Sequence, residues 1–438
     1  MEKFAKLGLS EEVLSVLKAK GFEEPTEIQV KAIPLALAGK DIIGSSATGS
    51  GKTLAFASSI IENLEPNGNV QALILTPTRE LAEQVSDSIK HFSKNKKLNV
   101  FAVYGGVDIQ RQIRIIRNTD VLVGTPGRIL DHLQRRTLRL SNVKFLVLDE
   151  VDQMLDMGFH HDVEAIIKQC PIERQTMLFS ATISDEFDYL VQKYTKNPVE
   201  ISAKSFVEDS KLKQIFYDVS SNQKFSLLVH LLKKETSELA MIFCSTRRNA
   251  DTIADSLYEF GIKAKAIHGG IVQNKRLSIL REFHNKSFNI LVCTDVAARG
   301  LDIKNVTHVY NYDLPADSKD YIHRIGRTAR AGEDGKVVNI LSNRDYENFR
   351  IIQGNKSLII TQEELPQIEY VKVNYTRDRE SGNRDFRERG NRNSGDSSRR
   401  FSGRRTPSRN FRRGNRFRWW VFLLEKEPNL VEKREVRN

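Results

Sequence analysis

The sequence predicts two α/β domains in tandem, each on a mostly parallel sheet, followed by a basic tail that stays disordered. Three observations carry this. Short apolar runs alternate with amphipathic stretches over residues 1–202, and the same alternation restarts over 211–366. A polar, unpatterned linker, 203–210, separates the two sets. Periodicity stops near residue 366, and Arg, Asn, Ser and Gly dominate much of the tail, 367–438. A chain of 438 residues exceeds one ordinary core and suits this plan.

In the first set, strands are expected at 41–44, 72–76, 100–104, 121–124, 145–148, 177–180 and 199–201. In the second they are expected at 214–219, 241–244, 264–267, 290–293, 309–312 and 337–341. The runs are short and apolar, and the stretches between them read as amphipathic helices. That combination argues sheets covered on both faces.

Composition narrows the class. No run approaches the ~18 apolar residues of a membrane span, and Met1–Lys6 lacks a signal-peptide apolar core, so no membrane association is expected. Cys170, Cys244 and Cys293 are few and widely spaced, which fits reduced buried thiols and a cytoplasmic or otherwise reducing compartment. The net charge of +12 is uneven: residues 377–418 hold fifteen arginines against five acids, leaving the first 376 residues close to neutral.

The chemistry begins at Ala47-Thr48-Gly49-Ser50-Gly51-Lys52-Thr53, after a strand and before a helix expected over 53–64. Glycines let backbone N–H groups close around phosphate oxygens, and the helix N-terminus favours negative charge. Lys52 suits the β- and γ-phosphates of ATP, and the Thr53 hydroxyl suits Mg²⁺. Ser46 stands where the strict pattern has glycine. Asp149 and Glu150 follow the strand at 145–148. Asp149 suits Mg²⁺, usually through water, and Glu150 suits orienting and deprotonating the attacking water. An acidic pair at a strand end also serves as a helix cap; the phosphate loop upstream favours the catalytic reading. Far along the chain, 323–330 reads as a cluster of guanidinium groups, with Arg327 and Arg330 three residues apart on one helical face. If this cluster completes the site, ATP must draw two domains together.

Further strings fall in order. Gly21-Phe22-Glu23-Glu24-Pro25-Thr26-Glu27-Ile28-Gln29 follows an upstream Phe4. Pro77-Thr78-Arg79-Glu80-Leu81-Ala82, Gly105-Gly106 and Thr125-Pro126-Gly127-Arg128 follow three separate strands. Ser180-Ala181-Thr182 ends another. The second set holds Phe243-Cys244-Ser245-Thr246, then His268-Gly269-Gly270 with Gln273 and Arg276, then Thr294 through Asp302. Together with Asp149-Glu150-Val151-Asp152 and the arginine cluster, these make residues 4–345 resemble a DEAD-box ATP-dependent RNA helicase. Val151 and Ala329 depart from the family's usual alanine and glycine, and Ser46-Ala47 from its common loop residues, without removing a functional group.

The resemblance implies two tandem RecA-like domains. It implies that Phe22 stacks on adenine and Gln29 reads its edge, and that Ala47, Thr48, Gly49, Ser50, Gly51, Lys52 and Thr53 hold phosphates and Mg²⁺. Asp302 approaches the ribose, and Arg327 and Arg330 reach the γ-phosphate. RNA contacts are implied for Pro77, Thr78, Arg79, Gly106, Thr125, Arg128, Arg276 and Thr294, mainly to the backbone of single strands and short duplexes. Asp152, Ser180, Thr182, His323 and Arg324 are implied to couple hydrolysis to RNA. The expected function is ATP-dependent local unwinding or remodelling of RNA and RNA–protein complexes, with RNA-stimulated hydrolysis driven by domain closure. An ATP-gated RNA clamp shares these motifs and stays open as an alternative. A DNA-directed translocase is disfavoured by the adenine-reading segment and the RNA loops.

In the tail, Phe386, Phe401, Phe411 and Phe417 interleave with arginine, a composition suited to auxiliary, sequence-tolerant RNA binding or simply to a solvated linker. The apolar run at 419–424 suits docking or self-association as well as an accident of sequence, and no protein partner is indicated.

Overall fold

The computed structural model describes residues 1–45, 50–203, 212–235, 238–298, 301, 303, 306–329, 334–371 and 373. Its first sheet comprises β1 (Ile42–Ser45), β2 (Ala72–Leu75), β3 (Val100–Val103), β4 (Val121–Gly124), β5 (Phe145–Leu148), β6 (Gln175–Ser180) and β7 (Val199–Ser202). They lie in the order β3-β4-β2-β5-β6-β1-β7. The second sheet comprises β8 (Leu212–Asp218), β9 (Ala240–Phe243), β10 (Ala264–Ile267), β11 (Ile290–Cys293), β12 (His308–Asn311), β13 (Gly335–Leu341) and β14 (Thr361–Gln362). Its order is β10-β11-β9-β12-β13-β8-β14. All pairings between these strands are parallel.

Central strands β2, β4, β5, β9 and β11 are buried along their whole length, because helices cover both faces. Two apolar layers result on the first sheet. One carries Phe56, Ile74 and Phe179, and the other Leu73, Leu146 and Leu178. The register aligns strand ends: Leu75 lies beside both Gly124 and Leu148, and Leu148 beside Leu178. Loops leaving these strands therefore emerge side by side.

Several expected bounds shift. The helix expected at 53–64 runs Lys52–Asn63, because Gly51 caps it from a left-handed conformation. Strand β14 has no counterpart in the sequence pattern; it is two exposed polar residues held by β8. Chain beyond 366 still belongs to the second fold: Ile368, Val371 and Val373 pack on its core, and the Ser226 hydroxyl bonds the Val371 backbone at both N and O. Three apolar residues at that spacing are too few to register as a pattern. Ala203, just past β7, donates its N–H to Ser45 O and is buried; 204–211, like most of the tail, lies outside the described residues.

All three cysteines are buried and free, and burial pushes the Cys170 thiol up to about 11. Among the described residues no helix is long and apolar enough to cross a membrane.

Candidate functional site

Strand order separates the loops expected to meet RNA from those expected to meet the nucleotide, one group on each half of the first sheet. Strands β3, β4 and β2 are neighbours, and the loops after them carry Gly106, Thr125 and Pro77-Thr78-Arg79. Strands β5, β6 and β1 are neighbours too, and after them come Asp149-Glu150, the Ser180-Ala181-Thr182 turn and the phosphate loop. The three loops expected to face RNA leave adjacent strands, in line with the expectation that they share one sheet edge.

On the nucleotide half, Gly51 has φ +92°, and a Cβ there would lie 2.5 Å from Gln29 Nε2. Only glycine fits. Gln29 is buried: its Nε2 donates to Gly51 O (3.1 Å) and its Oε1 accepts from Thr26 N–H (3.0 Å). The Thr26 hydroxyl donates to Ser50 O at 2.8 Å. The segment expected to read adenine thus also braces the phosphate loop. Phe22 is half-buried and packs edge-on against Phe4 and Phe92. Ala47, Thr48, Gly49, Asp302 and Arg330 lie outside the described residues.

Lys52 and Asp149 are both buried, with Nζ 3.7 Å from Oδ1. Burial pushes the Asp149 carboxyl up, and the Lys52 ammonium opposes this. Asp149 Oδ1 makes no hydrogen bond among the described residues. Those residues also hold no group of three or more His, Cys, Asp or Glu able to hold a metal. A single carboxylate oxygen beside a lysine, with Thr53 the second residue of the helix that Lys52 opens, fits a hard cation held largely by phosphate and water. Glu150 is buried in the left-handed region, φ 55° and ψ 54°, where it caps the helix Val151–Asp156. Backbone strain on a non-glycine residue at such a place costs of order 1–3 kcal/mol and is sustained by its surroundings.

Asp152 on the same helix joins two motifs. Its Oδ2 accepts from Ala181 N–H (3.2 Å), Thr182 N–H (3.0 Å) and the Thr182 hydroxyl (3.1 Å), and the Ser180 hydroxyl donates to Thr182 O.

In the second domain, β10, β11 and β9 are neighbours, and their ends carry His268-Gly269-Gly270, Thr294 and Ser245. Thr294 is buried at the start of the short helix Asp295–Ala298. Arg324 is buried and grips both Asp295 oxygens (2.5 and 2.7 Å), while its other terminal nitrogen donates to Asn311 Oδ1 and Asp313 O. It therefore ties its helix, Ser318–Ile325, to the loop after β11. The next residues turn back: Arg327 Nε donates to His323 O (3.2 Å), and its NH1 donates to Leu301 O. His323 lies on the same helix, one residue before Arg324.

Both domains line a cleft of about 470 Å³, with Thr78, Arg79, Thr125 and Arg128 on one side and Gly269, Gln273 and Arg276 on the other. Glu80 Oε1, buried, accepts from Gln273 Nε2 (2.8 Å) and Arg276 Nε (2.9 Å) across it, and Arg79 NH1 reaches Gln273 Oε1 (3.4 Å). Gly106, φ +83°, leaves room for Arg79, whose NH1 would sit 2.2 Å from a Cβ there. Arg128 donates to Gln112 Oε1 (2.7 Å) and Val107 O, and burial lowers its pKa. Sequence reasoning overlooked Glu80. A carboxylate inside an otherwise phosphate-suited string was the available signal, since it implies a cationic partner.

These features define a nucleotide-dependent machine with RNA-suited loops on both halves of a tandem RecA-like fold, and comparison with known proteins gives its family. The DEAD/DEAH box helicase model matches residues 26–190, and the helicase conserved C-terminal domain model matches 223–332. The ATP-dependent RNA helicase CshA of Listeria monocytogenes is 48% identical over 357 residues, covering 81% of this chain and 68% of that protein. The chain belongs to the DEAD-box ATP-dependent RNA helicases. Among solved structures, a DEAD box protein from Methanococcus jannaschii is 42% identical, covers 83% of this chain and 99% of that one, and superposes with a TM-score of 0.51. S. cerevisiae Dbp5 bound to RNA and ADP BeF3 is only 31% identical, covers 83% of this chain and 96% of its own, and reaches 0.75.

Proposed function

We propose that this protein hydrolyses ATP when its two domains close on RNA, and that closure locally separates or remodels the bound RNA or RNA–protein complex. The observation that carries this is the shared cleft, where Arg79 and Glu80 of one domain meet Gln273 and Arg276 of the other. Lys52 neutralises phosphate oxygens from its buried place beside Asp149. Asp149 and Thr53 are the residues that would hold Mg²⁺, directly or through water. When bound, the ion supplies charge neutralisation on the phosphates. Glu150, fixed by its cap position, orients the attacking water and takes its proton. Arg327 is oriented by two backbone carbonyls, and with Arg330 it stabilises charge on the departing phosphoryl group, a role worth about 10³–10⁵ in rate for one such finger. Phe22, Gln29 and Asp302 select the nucleoside.

Pro77, Thr78, Arg79, Gly106, Thr125, Arg128, Arg276 and Thr294 hold the RNA backbone. Contact with RNA requires the Glu80–Arg276 pair to share Arg276 with phosphate, so RNA binding and interdomain contact act on the same side chains. The chain from Asp152 to Thr182, and the Arg324 to Asp295 grip, transmit closure between sites. We assign the ATP-binding domain to 1–202 and the second domain to 211–373, extending past 366 to include the packed residues, with the remaining tail as an auxiliary RNA binder. The cytoplasm is the proposed compartment.

The deciding experiment compares ATPase stimulation by RNA and DNA homopolymers for wild type and Glu150→Gln. RNA alone should stimulate wild type, while the variant binds both ATP and RNA without turnover. Equal stimulation by DNA would overturn the RNA assignment.

A further inference from the structure

A second polar contact crosses the domain interface, and it uses none of the residues assigned to RNA, nucleotide or chemistry. Lys319 Nζ lies 2.9 Å from Asp156 Oδ1 and 2.8 Å from Oδ2. Asp156 ends the helix Val151–Asp156, which Glu150 caps and which contains Asp152. Lys319 is the second residue of the helix Ser318–Ile325, which carries His323 and Arg324 and leads into Arg327. The pair therefore joins, end to end, the two short helices that position the water-activating carboxylate and the arginine cluster.

We propose that Asp156 and Lys319 are positioning residues: an electrostatic latch that holds the closed arrangement on the nucleotide side, independently of RNA. The latch rests on the closure mechanism proposed above. In the RNA cleft, arriving phosphates compete with Glu80 for Arg276, so that side holds register less firmly when RNA is bound. The latch does not weaken in this way, because RNA does not compete for either partner. Its side chains remain 38% and 32% exposed, which makes it reversible and sensitive to salt rather than permanent. Other titratable groups in the field around Asp156 include Glu186, on the helix Asp185–Tyr194, and His160, at the start of His160–Ile167. Glu186 places a second negative charge in that field, so neutralising Asp156 alone would leave an acid nearby. Charge reversal of the lysine avoids that ambiguity.

The test uses the full chain, labelled on each domain for interdomain energy transfer, with AMP-PNP and poly(U) as ligands. Lys319→Glu should lower the closed population and raise the poly(U) concentration giving half-maximal ATPase about fivefold, the scale of one exposed ion pair. Thermal melting should be unchanged. The exchanged pair, Asp156→Lys with Lys319→Asp, should restore both closure and half-maximal concentration. The wild-type response should also weaken with salt more steeply than that of Lys319→Glu. Wild-type energy transfer and poly(U) response in Lys319→Glu, or failure of the exchanged pair to rescue a defective one, would overturn the latch. Loss of energy transfer on Lys319→Glu in a protein whose ATPase ignores RNA would uphold the latch while removing the helicase reading.

Discussion

Asp152 accepts three hydrogen bonds through one carboxylate oxygen, two from backbone N–H groups and one from the Thr182 hydroxyl. Its other oxygen, Oδ1, accepts from Gln153 N–H at 3.0 Å, a place that an asparagine NH2 could not fill as acceptor. Asp152→Ala leaves Ala181 N–H and Thr182 N–H without an acceptor and should cost about 2 kcal/mol of stability. It should lower unwinding per ATP hydrolysed by about tenfold, one charge-assisted bond's worth. Parallel unwinding and ATPase assays decide this, and equal reduction in both would argue against coupling. The neighbouring carboxylates show why one acidic string serves several ends. Asp149 sits against Lys52, Glu150 is held at positive φ, and Asp152 points back to β6.

Elements act through their ends. Each sheet presents three neighbouring strand ends to RNA-suited loops, a consequence of parallel strands in aligned register. The helix Lys224–Lys234 is anchored in the second domain by its cap, Glu235, which accepts from Lys336 on β13 and from His308 and Tyr310 on β12. Burial alone would raise the Glu235 carboxyl; the bonds from His308 and Lys336 outweigh it and bring the pKa down to about 2. A depressed carboxylate stabilises the fold above its ordinary value of 4.5 and loses that contribution as pH falls toward about 2. Glu235→Gln should therefore cost on the order of 2 kcal/mol at pH 7 and almost nothing at the acid end of that window. Urea unfolding of both proteins across that range is the check; a pH-independent difference would count against the ion-pair origin.

For the whole molecule, the arginine-rich tail adds charge that the folded part lacks. Removing 377–438 should leave ATPase chemistry intact and weaken RNA binding. The slope of log affinity against log salt should flatten by ~0.7 for every phosphate that the tail neutralises on single-stranded RNA. Equal slopes for full-length and shortened protein would show that the tail neutralises no phosphates. Closure is the other property at this scale. Among the described residues its polar fastenings include Glu80 to Arg276 in the cleft and Asp156 to Lys319 at the end of the helix Val151–Asp156; on the reading proposed above, RNA competes for the first and not for the second.

Both parallel sheets were legible in the sequence because a strand covered on both faces must be apolar throughout, as at 72–75, 145–148 and 290–293. So were the phosphate loop and acidic string, since phosphate chemistry restricts residue types at fixed spacing. Strand β14 and the packed segment around Val371 were not, because a few residues held by a finished surface need no pattern of their own. Neither were Glu80 and Lys319 as interdomain partners. A pairing between residues so far apart along the chain leaves no local periodicity to read. Hydrophobic period and side-chain chemistry set which groups the chain carries, their order and the two-sheet plan. Which loops become neighbours, that Gln29 braces Gly51, and which charges meet across the interface follow from strand order and from how two separately folded surfaces pack.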